Sequence, residues 1–220
     1  MNTVIFDMDG LLIDSEPIWE EATNEIFATK GLHITHQQYE TSTGLRTAEF
    51  LDHWFSHFNL DKTLLKSWEE LLFESVIYKV KTKGKIMPGV DYIFNFFKER
   101  NYKIGLASSS PMSLINAVVE MLDAKNVFQA ITSAQDLSYG KPNPQVYLDC
   151  AIALQSNPIN CICFEDSING MIAAKAAKMK CVVVPSLSQN KDQRWSLADL
   201  QLSSLQNFGG LHLEKLEKKY

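Results

Sequence analysis

From residue 88 onward the sequence alternates short apolar runs with stretches of helical period, and this alternation limits the fold more than any other feature. Val90, Ile93, Phe94 and Phe97 mark one helical face, and 103–107 is an apolar strand. Leu114, Ile115, Val118, Val119 and Leu122 form a second helical stripe, entered through Ser110 as N-cap and Pro111 as first helical residue. A strand over 128–132, a helix carrying Val146, Tyr147, Cys150, Ala151 and Leu154, and a strand over 161–164 follow. A helix over 167–179 and a strand over 181–184 complete the series. Apolar strands separated by amphipathic helices predict βαβ units and a parallel sheet covered on both faces. Such sheets bind ligands beyond the carboxyl ends of their strands.

Residues 15–83 have a different pattern. Trp19, Ala22 and Ile26 line one helix that ends near Gly31. Leu51, Trp54, Phe55 and Phe58 line a second, and Leu64, Leu65, Trp68, Leu71, Leu72 and Val76 a third. No strand pattern interrupts them, so an all-helical insertion is expected between the first strand and the rest of the sheet. The basic run Lys81–Lys85 reads as the link back, and Pro88-Gly89 punctuates re-entry. Charge alternates on a helical period after Leu211, as in a solvated terminal helix.

Composition narrows the function classes. The net charge of −5 lacks the basic face that general nucleic-acid binding needs. The longest apolar run, 150–154, is far short of a membrane span. The first residues, Met1-Asn2-Thr3-Val4-Ile5-Phe6, resemble a strand rather than a secretory signal, so a cytoplasmic protein is expected. Cys161 and Cys163 are spaced C-x-C on a strand, but no second Cys/His pair lies at zinc-site spacing. Buried hydrophobes are the expected role of all four cysteines.

Four strand ends carry polar residues that a core does not explain. The first ends in Phe6-Asp7-Met8-Asp9-Gly10, where two carboxylates at i and i+2 need a cation or a proton if both are buried. The second ends in Ala107-Ser108-Ser109-Ser110 at the start of a helix, a donor-rich anion site. Gly140-Lys141-Pro142-Asn143-Pro144 holds one lysine in a stiff turn, and Phe164-Glu165-Asp166-Ser167 adds two further acids. Each alone has an ordinary explanation in helix capping or solvation. Together they place four acids, a lysine and hydroxyl donors at one sheet edge. Oxygen-rich acidic clusters suit Mg²⁺ working with a phosphate, and a lysine opposite the metal balances the remaining phosphate charge.

Asp7-x-Asp9-Gly10, Ser108, Lys141 and Glu165-Asp166 resemble the four ordered motifs of the haloacid dehalogenase superfamily. The stretch from Leu11 to Trp19, Gly140-Lys141-Pro142 and Glu165-Asp166-Ser167-x-Asn169-Gly170 extend the likeness to its β-phosphoglucomutase-like subfamily. The resemblance implies a Rossmann-like, doubly wound α/β core (1–14 and 84–220) with an inserted helical cap (15–83). It also implies a Mg²⁺-dependent phosphatase for small sugar or polyol phosphates, monomeric and acting on a small-molecule ester. By resemblance, Asp7 is the nucleophile and Asp9 the general acid and base. Asp7, Asp9, Glu165 and Asp166 hold the metal, with Asn169 orienting the acids. Ser108, Ser109 and Lys141 hold the phosphoryl group, and Thr43, Gly44 and Arg46 contact substrate from the cap. His53 and His57 are surface or packing residues. A sugar phosphomutase is the alternative. Relatives of that type tend to carry a histidine where this chain has Trp19, which favours hydrolysis.

Overall fold

The computed structural model describes residues 1–42 and 45–218. The sheet has six parallel strands: β1 (Thr3–Phe6), β2 (Lys103–Ser108), β3 (Ala130–Ser133), β4 (Cys161–Glu165), β5 (Lys180–Val183) and β6 (Leu200–Gln201). They lie in the order β3-β2-β1-β4-β5-β6. The order reverses between β2 and β4, on either side of β1, and this is where an open parallel sheet has its ligand crevice. Phe6 is in register with Leu106 on one side and Phe164 on the other, so the residues after all three strands emerge together.

Helices cover both faces. Those of the sheet's own layers are α5 (Val90–Lys98), α6 (Met112–Met121), α7 (Gln145–Ala153), α8 (Ile168–Ala176) and α9 (Gly210–Glu217). Alternation along the strands divides the interior. Val4, Phe6, Ile104, Leu106, Ile162 and Phe164 belong to one apolar cluster. Ile5, Ala107, Cys161, Cys163, Cys181 and Val183 belong to the other. Phe6 stacks on Phe164 (centroids 5.1 Å) with Phe94 edge-on at 5.5 Å. All four cysteines are free and buried.

Between β1 and α5 the described residues form four α-helices: α1 (Glu16–Ala28), α2 (His36–Glu40), α3 (Thr47–His57) and α4 (Leu65–Lys83). Phe27, Phe55 and Trp68 pack edge-to-face at their centre, with centroids 5.0 Å apart for Phe27–Trp68 and Phe55–Trp68. α4 runs through Lys83, so most of the expected basic link is its last turn, with cationic side chains favourable at the C-terminus. The two connections to the sheet lie side by side: Asp14 N–H donates to the Lys85 carbonyl (2.9 Å) and Met87 N–H to that of Leu12 (3.0 Å).

α2 was not expected; a Thr35–Gln38 capping box starts it and Tyr39 anchors it. β6 has only two residues and no readable period. The terminal helix is not solvated all round, since α9 buries Leu213 and Leu216. Among the described residues no helix is long and apolar enough to cross a membrane.

Candidate active site

β1 delivers Asp7 and Asp9 to the crevice. The chain then turns back at once, Gly10 N–H donating to the Ile13 carbonyl (2.9 Å). Gly10 has φ +75, and a Cβ there would overlap the Asp166 carboxylate. Glycine is therefore required twice over, by the backbone and by the approach of Asp166.

Asp7 is buried. Lys141 Nζ reaches its Oδ1 at 2.5 Å and Glu165 Oε1 at 2.7 Å, and also contacts the Ala107 carbonyl at 3.3 Å. Lys141 is itself 2% exposed. Burial alone would push its pKa down, but the adjacent Asp7 and Glu165 carboxylates outweigh that and raise it, so the ammonium is retained. Asp7 is pushed up to about 8 by burial, against the pull of Lys141 and with the help of Glu165 and Asp9.

Glu165 has five donors. Lys141 and the Tyr147 hydroxyl (2.5 Å) share Oε1. Oε2 takes the Asp166 and Ser167 N–H groups (both 3.1 Å) and the Ser167 hydroxyl (3.0 Å). Burial raises its pKa, but Lys141 and these hydrogen bonds prevail and hold it below the usual carboxylate range. α8 starts directly beneath, and a Cβ at Gly170 would overlap the Glu165 carboxylate.

Asp9 faces different partners. Its Oδ1 accepts from the Ser15 hydroxyl (2.7 Å) and the Trp19 indole N–H (3.1 Å). Its Oδ2 accepts from the Ser110 hydroxyl (2.7 Å), with Ser108 Oγ at 3.4 Å. Ser110 is therefore not the cap expected for α6, whose N-cap is Pro111. Ser108 Oγ instead accepts the Ser110 N–H at 3.0 Å.

Asp7, Glu165 and Asp166 each bring one oxygen within 4.8 Å of the others. The pKa of Asp166 is pushed well up, first by burial and then by Glu165 and Asp7. If all three were ionised they would face a single lysine with two negative charges in excess, and the raised pKa values of Asp7 and Asp166 express that cost. An all-oxygen set with that excess suits a hard divalent cation.

The crevice opens into a pocket between the sheet edge and α1–α3. Asp7, Asp9, Ser109, Lys141 and Asp166 line its inner end. Glu16, Thr23 and Tyr39 line it from α1 and α2. Burial, then Asp9 and Glu20, push the Glu16 carboxyl up to about 7.

The cap residues expected at substrate divide. Thr43 and Gly44 lie outside the described residues. Arg46 is described, but its guanidinium is committed elsewhere. It pairs with Glu49 (2.6 Å) and donates to the carbonyls of Leu137, Ala134 (3.4 Å) and Ser138 (3.5 Å). Glu49 Oε1 accepts the Gly140 N–H at 3.3 Å. Arg46 and Glu49 thus clasp the loop that carries Lys141, because that loop offers carbonyls at the height of α3's first turn.

Sequence reasoning missed Tyr147, Ser110, Ser15, Glu16 and Thr23. Tyr147 was placed on a helical core stripe, which is true of its ring but not of its hydroxyl. Trp19, on the apolar stripe of α1, packs on Phe73 while its N–H serves Asp9.

A family model described as haloacid dehalogenase-like hydrolase matches residues 4–184. Hexitol phosphatase B of Escherichia coli (strain K12) is 42% identical over 202 residues, 91% of each chain. The phosphorylated carbohydrates phosphatase of Thermotoga maritima is 30% identical over 193 residues, 87% of this chain and 89% of that protein. A crystal structure of β-phosphoglucomutase from Clostridium difficile has a TM-score of 0.87 at 26% identity, covering 98% of this chain and 97% of that one.

Proposed function

The chain belongs to the haloacid dehalogenase-like hydrolase family, and from that premise we propose that it hydrolyses phosphate monoesters of small sugars or polyols through an aspartyl-phosphate on Asp7. The observation that carries the reading is the contrast between two carboxylates two residues apart. Asp7 is buried against Lys141 and the acidic cluster, whereas Asp9 faces the pocket in a cradle of hydroxyl and indole donors. Two acids in such different surroundings suit a nucleophile and a proton carrier.

In its ionised form Asp7 attacks phosphorus, and the bond from phosphorus to the ester oxygen breaks as the acyl phosphate forms. Asp9 gives its proton to the departing alkoxide, then takes one from the incoming water. Lys141 turns from the carboxylates to the phosphoryl oxygens and balances their charge. Ser108 and Ser109 bind the same group; the Ser109 hydroxyl is buried and has no partner among the described residues. Glu165, saturated with donors, holds Lys141 and the start of α8 in place, so its part toward a metal is chiefly electrostatic. Asp7, Asp166 and the Asp9 backbone carbonyl would hold Mg²⁺. When bound, Mg²⁺ supplies positive charge that lets an anionic nucleophile meet an anionic phosphate. The helices of 15–83 act as a cap that closes over the ester and excludes bulk water.

Likeness to a β-phosphoglucomutase supports a second reading, in which the phosphoenzyme returns its group to a sugar. A panel of sugar and polyol phosphates assayed for released phosphate in Mg²⁺, with and without a hexose bisphosphate, decides between them. Free phosphate from monoesters without a bisphosphate is expected. Isomerised ester dependent on the bisphosphate would replace hydrolysis by the mutase reading.

A further inference from the structure

The outer half of the pocket contains a polar side chain that the chemistry above does not use. Thr23 is 1% exposed, lines the pocket, and its hydroxyl has no hydrogen-bond partner among the described residues. A helical threonine ordinarily satisfies its hydroxyl on a carbonyl one turn earlier. A buried hydroxyl left unmade is unfavourable, and it persists where a ligand supplies the partner.

Its surroundings define that ligand. Glu16 and Thr23 are seven residues apart on α1, on the face that turns to the pocket. Tyr39 enters from α2 and is 8% exposed. The three offer a carboxyl, an aliphatic hydroxyl and a phenol, a set that pairs with hydroxyl groups. Leu45 and Phe50 supply the apolar wall that packs against a carbon chain. Among the described residues lining the pocket Lys141 is the single cation, and it belongs to the Asp7 end. The outer wall instead carries Glu16, with Asp9, Glu20, Glu40 and Asp14 close enough to act on it; Glu20 and Glu40 are themselves paired with His36 (2.8 and 3.6 Å), which is not among the described pocket-lining residues.

We propose that Glu16, Thr23 and Tyr39 form a subsite for the uncharged, hydroxylated end of the ester, and that their acidic surroundings exclude a second phosphate. The subsite rests on the reading of Asp7 as a phosphatase centre, and it narrows the substrate to monophosphates of polyhydroxy compounds. A phosphomutase must hold both phosphates of a bisphosphate intermediate, and among the described residues lining this wall none is a cation free to take the second.

The test compares kcat/KM for a hexitol 6-phosphate, p-nitrophenyl phosphate and a hexose bisphosphate, in Mg²⁺. The proteins are wild type, Thr23→Val, Thr23→Ser and Glu16→Gln, each checked for folding by circular dichroism. Thr23→Val is expected to lower the preference for the hexitol ester over p-nitrophenyl phosphate about tenfold, and Thr23→Ser to restore it. Glu16→Gln is expected to raise the rate on the bisphosphate relative to the hexitol ester about tenfold. Equal losses on both monoesters in Thr23→Val, or wild-type turnover of the bisphosphate as fast as of the hexitol ester, would overturn the subsite. Wild type inert toward all three esters would instead remove the phosphatase reading, and the subsite with it.

Discussion

Trp19 donates its indole N–H to Asp9 Oδ1 at 3.1 Å, so a helix of the inserted segment reaches across to the proposed acid and base of the sheet edge. The indole donates and never titrates, unlike a histidine at the same place. It therefore offers Asp9 the same donor at every working pH. Trp19→Phe keeps a ring against Phe73 and removes the donor. A hydrogen bond to a charged group is worth about 1.5–3 kcal/mol, and Ser15 remains on the same oxygen. We expect kcat to fall roughly tenfold with KM little changed. Steady-state kinetics would show an unchanged kcat if the contact were packing alone.

The Arg46–Glu49 clasp predicts a loss shared by all substrates. Arg46→Ala frees the carbonyls of Ala134, Leu137 and Ser138 and loosens the loop that presents Lys141. The expected result is a fall of about tenfold in kcat on sugar phosphates and p-nitrophenyl phosphate alike, from misplacement of a charged group. A change in preference among sugar esters, with p-nitrophenyl phosphate spared, would return Arg46 to the substrate-contacting role that its position in the sequence suggested.

Metal removal has a directional outcome. Asp7, Glu165 and Asp166 crowd one lysine, and the pKa values of Asp7 and Asp166 are raised because Lys141 alone does not balance three ionised carboxylates. Dialysis against EDTA is expected to abolish turnover and to lower thermal stability, and added Mg²⁺ to restore both. Full activity in EDTA would remove the metal from the account.

Asp199 ties β6 to the sheet. It accepts from Lys175 (2.5 Å), Lys180 (3.0 Å) and the Cys181 N–H (2.8 Å). Burial raises its pKa, but these donors prevail and lower it below the ordinary aspartate value. A depressed folded pKa gives stability that is complete above the unfolded pKa, about 3.9, and lost as pH falls through the folded value. Asp199→Asn should therefore lose about 1–3 kcal/mol at neutral pH. The gap to wild type should shrink below pH ~4, as urea unfolding at several pH values would record. A gap independent of pH would assign the effect to packing.

Much of the fold was legible because buried parallel strands are short apolar runs. Val4, Ile5 and Phe6, or Cys161 to Phe164, have no other stable use. The polar strand ends stood out because Asp7, Ser108 and Glu165 are residues that a core rejects. What stayed hidden depends on partners far along the chain. The acceptors of Arg46 are backbone carbonyls of Ala134 to Ser138, which carry no side-chain signature. Tyr147 and Trp19 each have an apolar body and one polar atom, and a hydropathy pattern registers only the body. Leu213 and Leu216 were masked by the charges around them, although two apolar residues suffice to seat a helix of eight.

The central claim is that Asp7 carries the phosphoryl group. Asp9→Asn weakens proton transfer to and from the reacting oxygens, so it should slow hydrolysis of the acyl phosphate and let it accumulate. After a brief incubation with a hexitol 6-phosphate and Mg²⁺, acid quench and mass spectrometry should find a phosphoryl group on the peptide containing Asp7. The same peptide from an Asp7→Asn, Asp9→Asn double variant should carry none. Phosphate released by wild type with no label on Asp7 in Asp9→Asn, or the same label in the double variant, would contradict the account.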